Sequence, residues 1–169
     1  MAIEKYRLRS SAPSLIQSSA RSVAHAKQLG YSTAFLCHSH KDEPLVNGLV
    51  NLLQQNGWRV YVDWKDLTMP SSPNRETAAK IKSRIEATNY FLFLATSNSI
   101  TSRWCPWEIG YADGKKDIEK IIVIPTRERM TTHGNEYIDL YRRIDLARDG
   151  KLAVFSPGQN KGAYVSSLR

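Results

Sequence analysis

A doubly wound, flavodoxin-like α/β fold is what this sequence predicts, with five parallel strands in the order 2-1-3-4-5 and an extra helix at the N-terminal side. Three observations carry that expectation. Short apolar runs of strand length recur along the chain, stretches of helical periodicity separate them, and the loops that follow the runs are polar. Such an arrangement buries both faces of a parallel sheet and leaves ligand-binding loops at the carboxyl ends of its strands.

The elements follow in order. Residues 13–29 place Ile16, Ala20, Val23 and Ala24 at helical spacing, entered through Pro13 and closed by Gly30, which reads as a short amphipathic helix ahead of the domain. Residues 33–37, Thr-Ala-Phe-Leu-Cys, form the first strand. The polar run His38-Ser39-His40-Lys41-Asp42 follows, and Asp42 is placed to cap a helix with Glu43 and Pro44 in its first turn. That helix continues through Leu45, Val46, Leu49, Val50, Leu52 and Leu53 and stops at Asn56-Gly57, before a second strand at residues 58–62.

Residues 64–73 are polar and proline-rich, a long loop. A helix with Ala78, Ile81 and Ile85 on one face and a start near Ser72 to Asn74 leads to the third strand at residues 90–95. A fourth strand is expected at residues 121–125 and a fifth at 152–155, with a weakly framed helix over about 135–147 between them. In domain terms this gives a basic N-terminal segment at 1–30, the α/β domain at 31–157 and a tail at 158–169.

The most informative stretch is Ser102-Arg103-Trp104-Cys105-Pro106-Trp107-Glu108-Ile109-Gly110-Tyr111-Ala112. Pro106 is tolerated only in a first turn, so the helix begins between Ser102 and Cys105. At about 100° per residue, Cys105, Ile109 and Ala112 make an apolar stripe, with Trp104, Glu108 and Tyr111 on the neighbouring face. A carboxylate half shielded by indoles can have a raised pKa and act on a sugar. The same spacing also suits an ordinary first-turn acid complementing the helix dipole, with the tryptophans in the core.

Composition bounds the function. The 169 residues, 41% hydrophobic and 24% charged, suffice for one domain with a real core. The formal charge of +8 sits at the ends: residues 1–29 carry five basic side chains against Glu4, and 151–169 carry three with no acid, which leaves +1 for the body. A nucleic-acid interface needs its charge on the fold, so none is expected. Apolar runs such as 91–95 and 121–124 are too short to cross a bilayer, so no membrane span is expected either. Cys37 and Cys105 read as buried free thiols in a reducing cytoplasm.

Other chemistries lack their residues. A receiver-type phosphoacceptor Asp would stand where the chain has Ala95-Thr96, a flavin phosphate cradle where it has His-Ser-His-Lys, and no Walker-type glycine motif occurs. Metal binding is not expected, because His38 and His40 lie two apart with no second ligand pair near them in sequence.

The segment Ala34-Phe35-Leu36-Cys37-His38-Ser39-His40-Lys41-Asp42 resembles the first box of TIR (Toll/interleukin-1 receptor) domains, and Ser102-x-Trp104-Cys105-x-x-Glu108 resembles that family's third-helix motif. The loop after the second strand stands where the family has its BB loop. Thr33 in place of an Asp, the absence of Arg-Asp-x-x-Pro-Gly in that loop and the lack of a Phe-Trp pair near the end point toward the bacterial, NAD-cleaving type.

The resemblance implies cleavage of the nicotinamide–ribose bond of NAD, as substrate and with no cofactor, to ADP-ribose or a cyclic or conjugated product. It implies Glu108 as the catalytic carboxylate, Trp104 as an aromatic stacking near the substrate, and His38, Ser39, His40 and Lys41 near ribose and phosphates. Trp64 and Leu67 would cover a base or contact a second subunit. It also implies TIR–TIR self-association and, by similarity to the TIR component of Thoeris-type anti-phage systems, a separate effector protein that senses the product. The competing expectation is a non-catalytic interaction module.

Overall fold

Tyr-Phe-Leu-Phe-Leu-Ala at residues 90–95 has every side chain buried, which an unbroken apolar strand achieves only in the middle of a sheet covered on both faces. The computed structural model, which describes residues 2–12, 23–63 and 74–168, puts it there. The described strands are β1 (Ile3–Glu4), β2 (Ser32–Cys37), β3 (Trp58–Tyr61), β4 (Tyr90–Ala95), β5 (Ile121–Glu128), β6 (Thr131–His133), β7 (Arg142–Leu146), β8 (Leu152–Phe155) and β9 (Gly162–Tyr164). The helices are α1 (Lys5–Ser10), α2 (Val23–Gln28), α3 (Glu43–Gln55), α4 (Arg75–Ala87), α5 (Ser97–Ile100) and α6 (Cys105–Asp113).

Strand order across the sheet is β3-β2-β4-β5-β7-β8-β9, with β1 and β6 both paired to β5. From β3 to β7 all pairings are parallel, and β8 and β9 extend the edge in antiparallel fashion. The flavodoxin-like order is therefore present, with the switch point between β2 and β4. Its fifth parallel strand is not residues 152–155, however, but β7, in the region expected to be helical.

The spacing of Tyr137 and Tyr141 misleads there. Residues Asn135–Tyr137 form a single 3-10 turn, in which Tyr137 packs edge-on against Phe93 at 5.3 Å, and the chain then extends into β7. Ile144 is fully buried, whereas Arg142 and Arg143 lie only half buried, so the strand reads as charged in sequence.

Side-chain alternation divides the core into two layers. Ala34, Leu36, Leu92, Leu94, Ile122 and Ile124 face α3, whose Leu45, Val46, Leu49 and Leu53 are buried against them. Phe35, Cys37, Phe91, Phe93, Ile121 and Val123 face the other way, toward Ile81 and Ile85 of α4 and Cys105, Ile109 and Ala112 of α6. The stripe expected on α6 is thus its buried face. Asn74 starts α4 with a reciprocal cap in which its Oδ1 accepts from the Thr77 amide at 2.9 Å.

Of the helix expected over 13–29, residues 13–22 lie outside the described residues, and α2 closes it with Gly30 in the left-handed region at φ +74°. The basic N-terminal segment does more than solvate. Ile3 and Leu8 are completely buried, Lys5 Nζ donates to Glu128 Oε2 at 2.8 Å, and an Arg7 guanidinium N–H donates to the Gly150 carbonyl at 2.6 Å. Helix α1 crosses α3 at Gly48, where a Cβ would lie 1.7 Å from the Leu8 carbonyl oxygen.

Candidate active site

The carboxyl ends of β2, β3 and β4 bring three chain segments to one rim. Strand β2 delivers Cys37 and the His38 loop, the residue after β3 and Val62 is Asp63, and β4 leads into the Thr96 loop that precedes α5 and α6. Pro106 falls in the first turn of α6 with Trp104 as the N-cap residue, so the helix begins within the window that proline demands.

Glu108 then lies one turn into α6, and only 5% of it is exposed. The half-shielded setting expected for it is therefore too generous to solvent. Burial pushes its carboxyl up from an ordinary 4.5 to about 7, the nearby Asp63 charge adds to the rise, and a hydrogen bond from the Cys37 thiol opposes it. Desolvation outweighs whatever the helix N-terminus contributes. The Cys37 thiol is itself held well above its usual value, mainly by burial. Cys105, whose thiol donates to the His38 carbonyl at 3.4 Å, closes the wall, and both cysteines are free.

Trp104 is half buried and meets Trp107 edge-on at 5.4 Å. Trp107 does not shield the carboxylate as a core residue would: it is 36% exposed and stacks on Tyr111, with Lys82 Nζ 5.7 Å from its ring centroid. Tyr111 in turn donates to Glu86.

The His38 loop separates into distinct environments. His38 is buried, with Nδ1 2.7 Å from the Leu36 carbonyl oxygen and Nε2 3.4 Å from Asp63 Oδ1. Burial lowers its pKa while the Asp63 charge works against that shift. His40 is largely exposed, its Nε2 3.2 Å from Asp63 Oδ2. Ser39 caps the 3-10 turn His40–Asp42, accepting from the Lys41 amide at 3.4 Å, and the Lys41 side chain is exposed. Trp64 and Leu67 lie outside the described residues.

Asp42 does not cap α3 with its side chain as expected. It is buried, and accepts instead from Thr96 Oγ1 at 2.5 Å and from Asn98 Nδ2 at 2.7 Å. This ties the loop after β2 to the loop after β4 across the switch point. Pattern reading gave Asp42 only a cap and assigned Cys37 and Asp63 no part in the site. Their partners come from other strands, so only strand order could have pointed to them.

A cavity of about 370 Å³ lies on the other side of β5, lined by Pro125, Arg127, Thr132, Asn135, Arg143 and Gln159 among others, and does not include Glu108. The convergent polar and titratable side chains are at the rim of β2, β3 and β4.

The family model described as TIR domain matches residues 34–153, a span that includes both the His38 loop and α6. The chain is 36% identical over 112 residues to a Bacillus cereus (strain MSX-D12) protein named 3' cyclic ADP-D-ribose synthase ThsB', covering 63% of this chain and 57% of that protein. It is 27% identical over 81 residues to a Cytobacillus dafuensis protein named cyclic ADP-D-ribose synthase TIR2, covering 46% of this chain and 21% of the other. Both names are provisional, and the matched stretches span little more than half of the first relative and a fifth of the second.

Proposed function

This chain belongs to the TIR domain family, and from that premise we propose that it cleaves the nicotinamide–ribose bond of NAD and releases an ADP-ribose product in linear, cyclic or conjugated form. The observation that carries the reading is Glu108, a carboxylate almost wholly buried at the rim where the parallel strands finish, with a pKa of about 7. The names of the two relatives, both cyclic ADP-D-ribose synthases, support the same chemistry.

The bond to the pyridinium nitrogen breaks with its electron pair leaving on nicotinamide, so the departing group is neutral and needs no general acid. Positive charge develops on C1 of the ribose and its ring oxygen. An ionised Glu108 beside the ribose hydroxyls orients the sugar and stabilises that charge in a poorly solvated place, where one carboxylate counts for more than it would in water. Water, or a nucleophilic oxygen or nitrogen of an ADP-ribose moiety, then adds to C1 and gives up a proton. Trp104 is the aromatic available to stack on the leaving ring or on the base that cyclises. Ser39, His40 and Lys41 supply donors toward ribose hydroxyls and phosphates. As part of this proposal the chain acts in anti-phage signalling, assembles through TIR–TIR contacts and passes its product to a separate effector that reads it.

The test is release of nicotinamide from NAD by the purified protein at high concentration, with Glu108→Ala and Glu108→Gln beside it and mass spectrometry of the product. Release that both substitutions abolish supports the reading. Release untouched by Glu108→Gln discards Glu108 as the catalytic group. No release at any protein concentration, with or without a crowding agent, leaves an interaction module.

A further inference from the structure

We infer that His38, His40 and Asp63 form a binding site for a divalent transition-metal ion of the zinc class, a site that stands whether or not the chain cleaves NAD. Sequence argues against a metal here because the two histidines have no second ligand pair nearby. The fold supplies the missing group by pairing β2 with β3 in parallel, which brings Asp63, just beyond the end of β3, against the loop that leaves β2.

The geometry is that of a ligand set. The Nε2 atoms of His38 and His40 lie 3.4 and 3.2 Å from the two oxygens of the Asp63 carboxylate, and the donor atoms of all three residues lie within 4.8 Å of one another. Metal–ligand bonds of about 2.0–2.1 Å in a tetrahedron put neighbouring donors roughly 3.3–3.4 Å apart, which is close to both N···O separations.

His38 is also oriented as a ligand. Its Nδ1 is 2.7 Å from the Leu36 carbonyl oxygen, which requires the proton on Nδ1 and directs the Nε2 lone pair toward Asp63. His40 is 70% exposed, so an ion reaches the site from solvent and this ring can turn to close on it. Two imidazoles and one carboxylate, with a position left for water, select zinc or cobalt over magnesium or calcium, which favour oxygen. Among the described residues no other trio of His, Cys, Asp and Glu side chains gathers its donor atoms in this way.

The experiment is equilibrium dialysis of the full chain against zinc chloride with elemental analysis, and titration with cobalt(II) followed by visible absorption. The expected result is one ion per chain and the intense bands of tetrahedral cobalt. His40→Ala and Asp63→Asn should each weaken binding by roughly tenfold or more, while His25→Ala and His133→Ala leave it unchanged. Circular dichroism confirms that each variant is folded. No saturable zinc binding, binding that survives the His40→Ala Asp63→Asn double substitution, or binding lost with His25 or His133 overturns the assignment.

Discussion

Glu108 has a carboxyl whose pKa of about 7 lies above its ordinary 4.5 because the folded chain takes it out of water. Below pH 4.5 the group is protonated in both folded and unfolded chains, and its burial carries no ionisation penalty. As pH rises through 4.5 toward 7 the unfolded chain releases a proton that the folded chain keeps, so stability falls, by up to about 3 kcal/mol at about 1.4 kcal/mol per unit. Replacing Glu108 with Gln should remove nicotinamide release and yet raise the melting temperature at pH 8 by roughly 5–10 °C, with little gain at pH 4.5. Scanning calorimetry at the two pH values checks it, and equal shifts at both would contradict the burial argument. Where the ionised form does the chemistry, kcat/KM should climb about tenfold per unit below pH 7 and level off above it. Cys37→Ala removes a hydrogen bond that favours the carboxylate, so it should move this rise to higher pH, read from the profile and not from the rate at one pH. The position of Glu108 was legible because Pro106 sets the phase of its helix. Its depth was not, because Cys37 and Asp63 reach it from strands 71 and 45 positions earlier in the sequence.

Helices α1 and α3 touch backbone to backbone at Gly48, and a side chain there would meet the Leu8 carbonyl before anything flexible could yield. Gly48→Ala should cost about 2 kcal/mol or more by urea denaturation. Gly110 is the built-in control, since a Cβ on it would meet nothing within 4 Å. Gly110→Ala should be neutral or stabilise α6 by about 0.5–1 kcal/mol. Elements with a single dominant period were readable: α3 repeats its leucines and valines every three or four residues, and β4 is apolar throughout. Strand β7 was not, since it begins with two arginines and buries Asp145, whose Oδ1 accepts the Leu146 amide at 2.6 Å. Its strand character is imposed by pairing with β5 and β8, and tertiary pairing of that kind overrides local pattern.

Across the whole molecule the N-terminal segment behaves as part of the sheet and its cover. Ile3 pairs with Thr126 through β1, and Ile3 and Leu8 together hide from water completely. Exposing two such side chains costs about 3–6 kcal/mol, against a total stability on the order of 5–15 kcal/mol for a domain. Removing residues 2–12 should therefore leave a protein with a lower urea midpoint and an unfolding transition that begins near ambient temperature; a midpoint within error of the intact chain would show that these contacts contribute nothing. The parallel order of β2, β3, β4 and β5 was legible from their apolar runs. The role of residues 3–8 was not, because their hydrophobic residues are few and the partners of Ile3, Lys5 and Arg7 lie more than a hundred positions away. That distance has a temporal side. During synthesis residues 3–8 leave the ribosome well before Glu128, which Lys5 meets 123 positions later, so their docking is completed late. Such long-range closure slows folding. A nascent chain halted before residue 121 should still be sensitive to protease at residues 3–8, and the released full chain should be protected there.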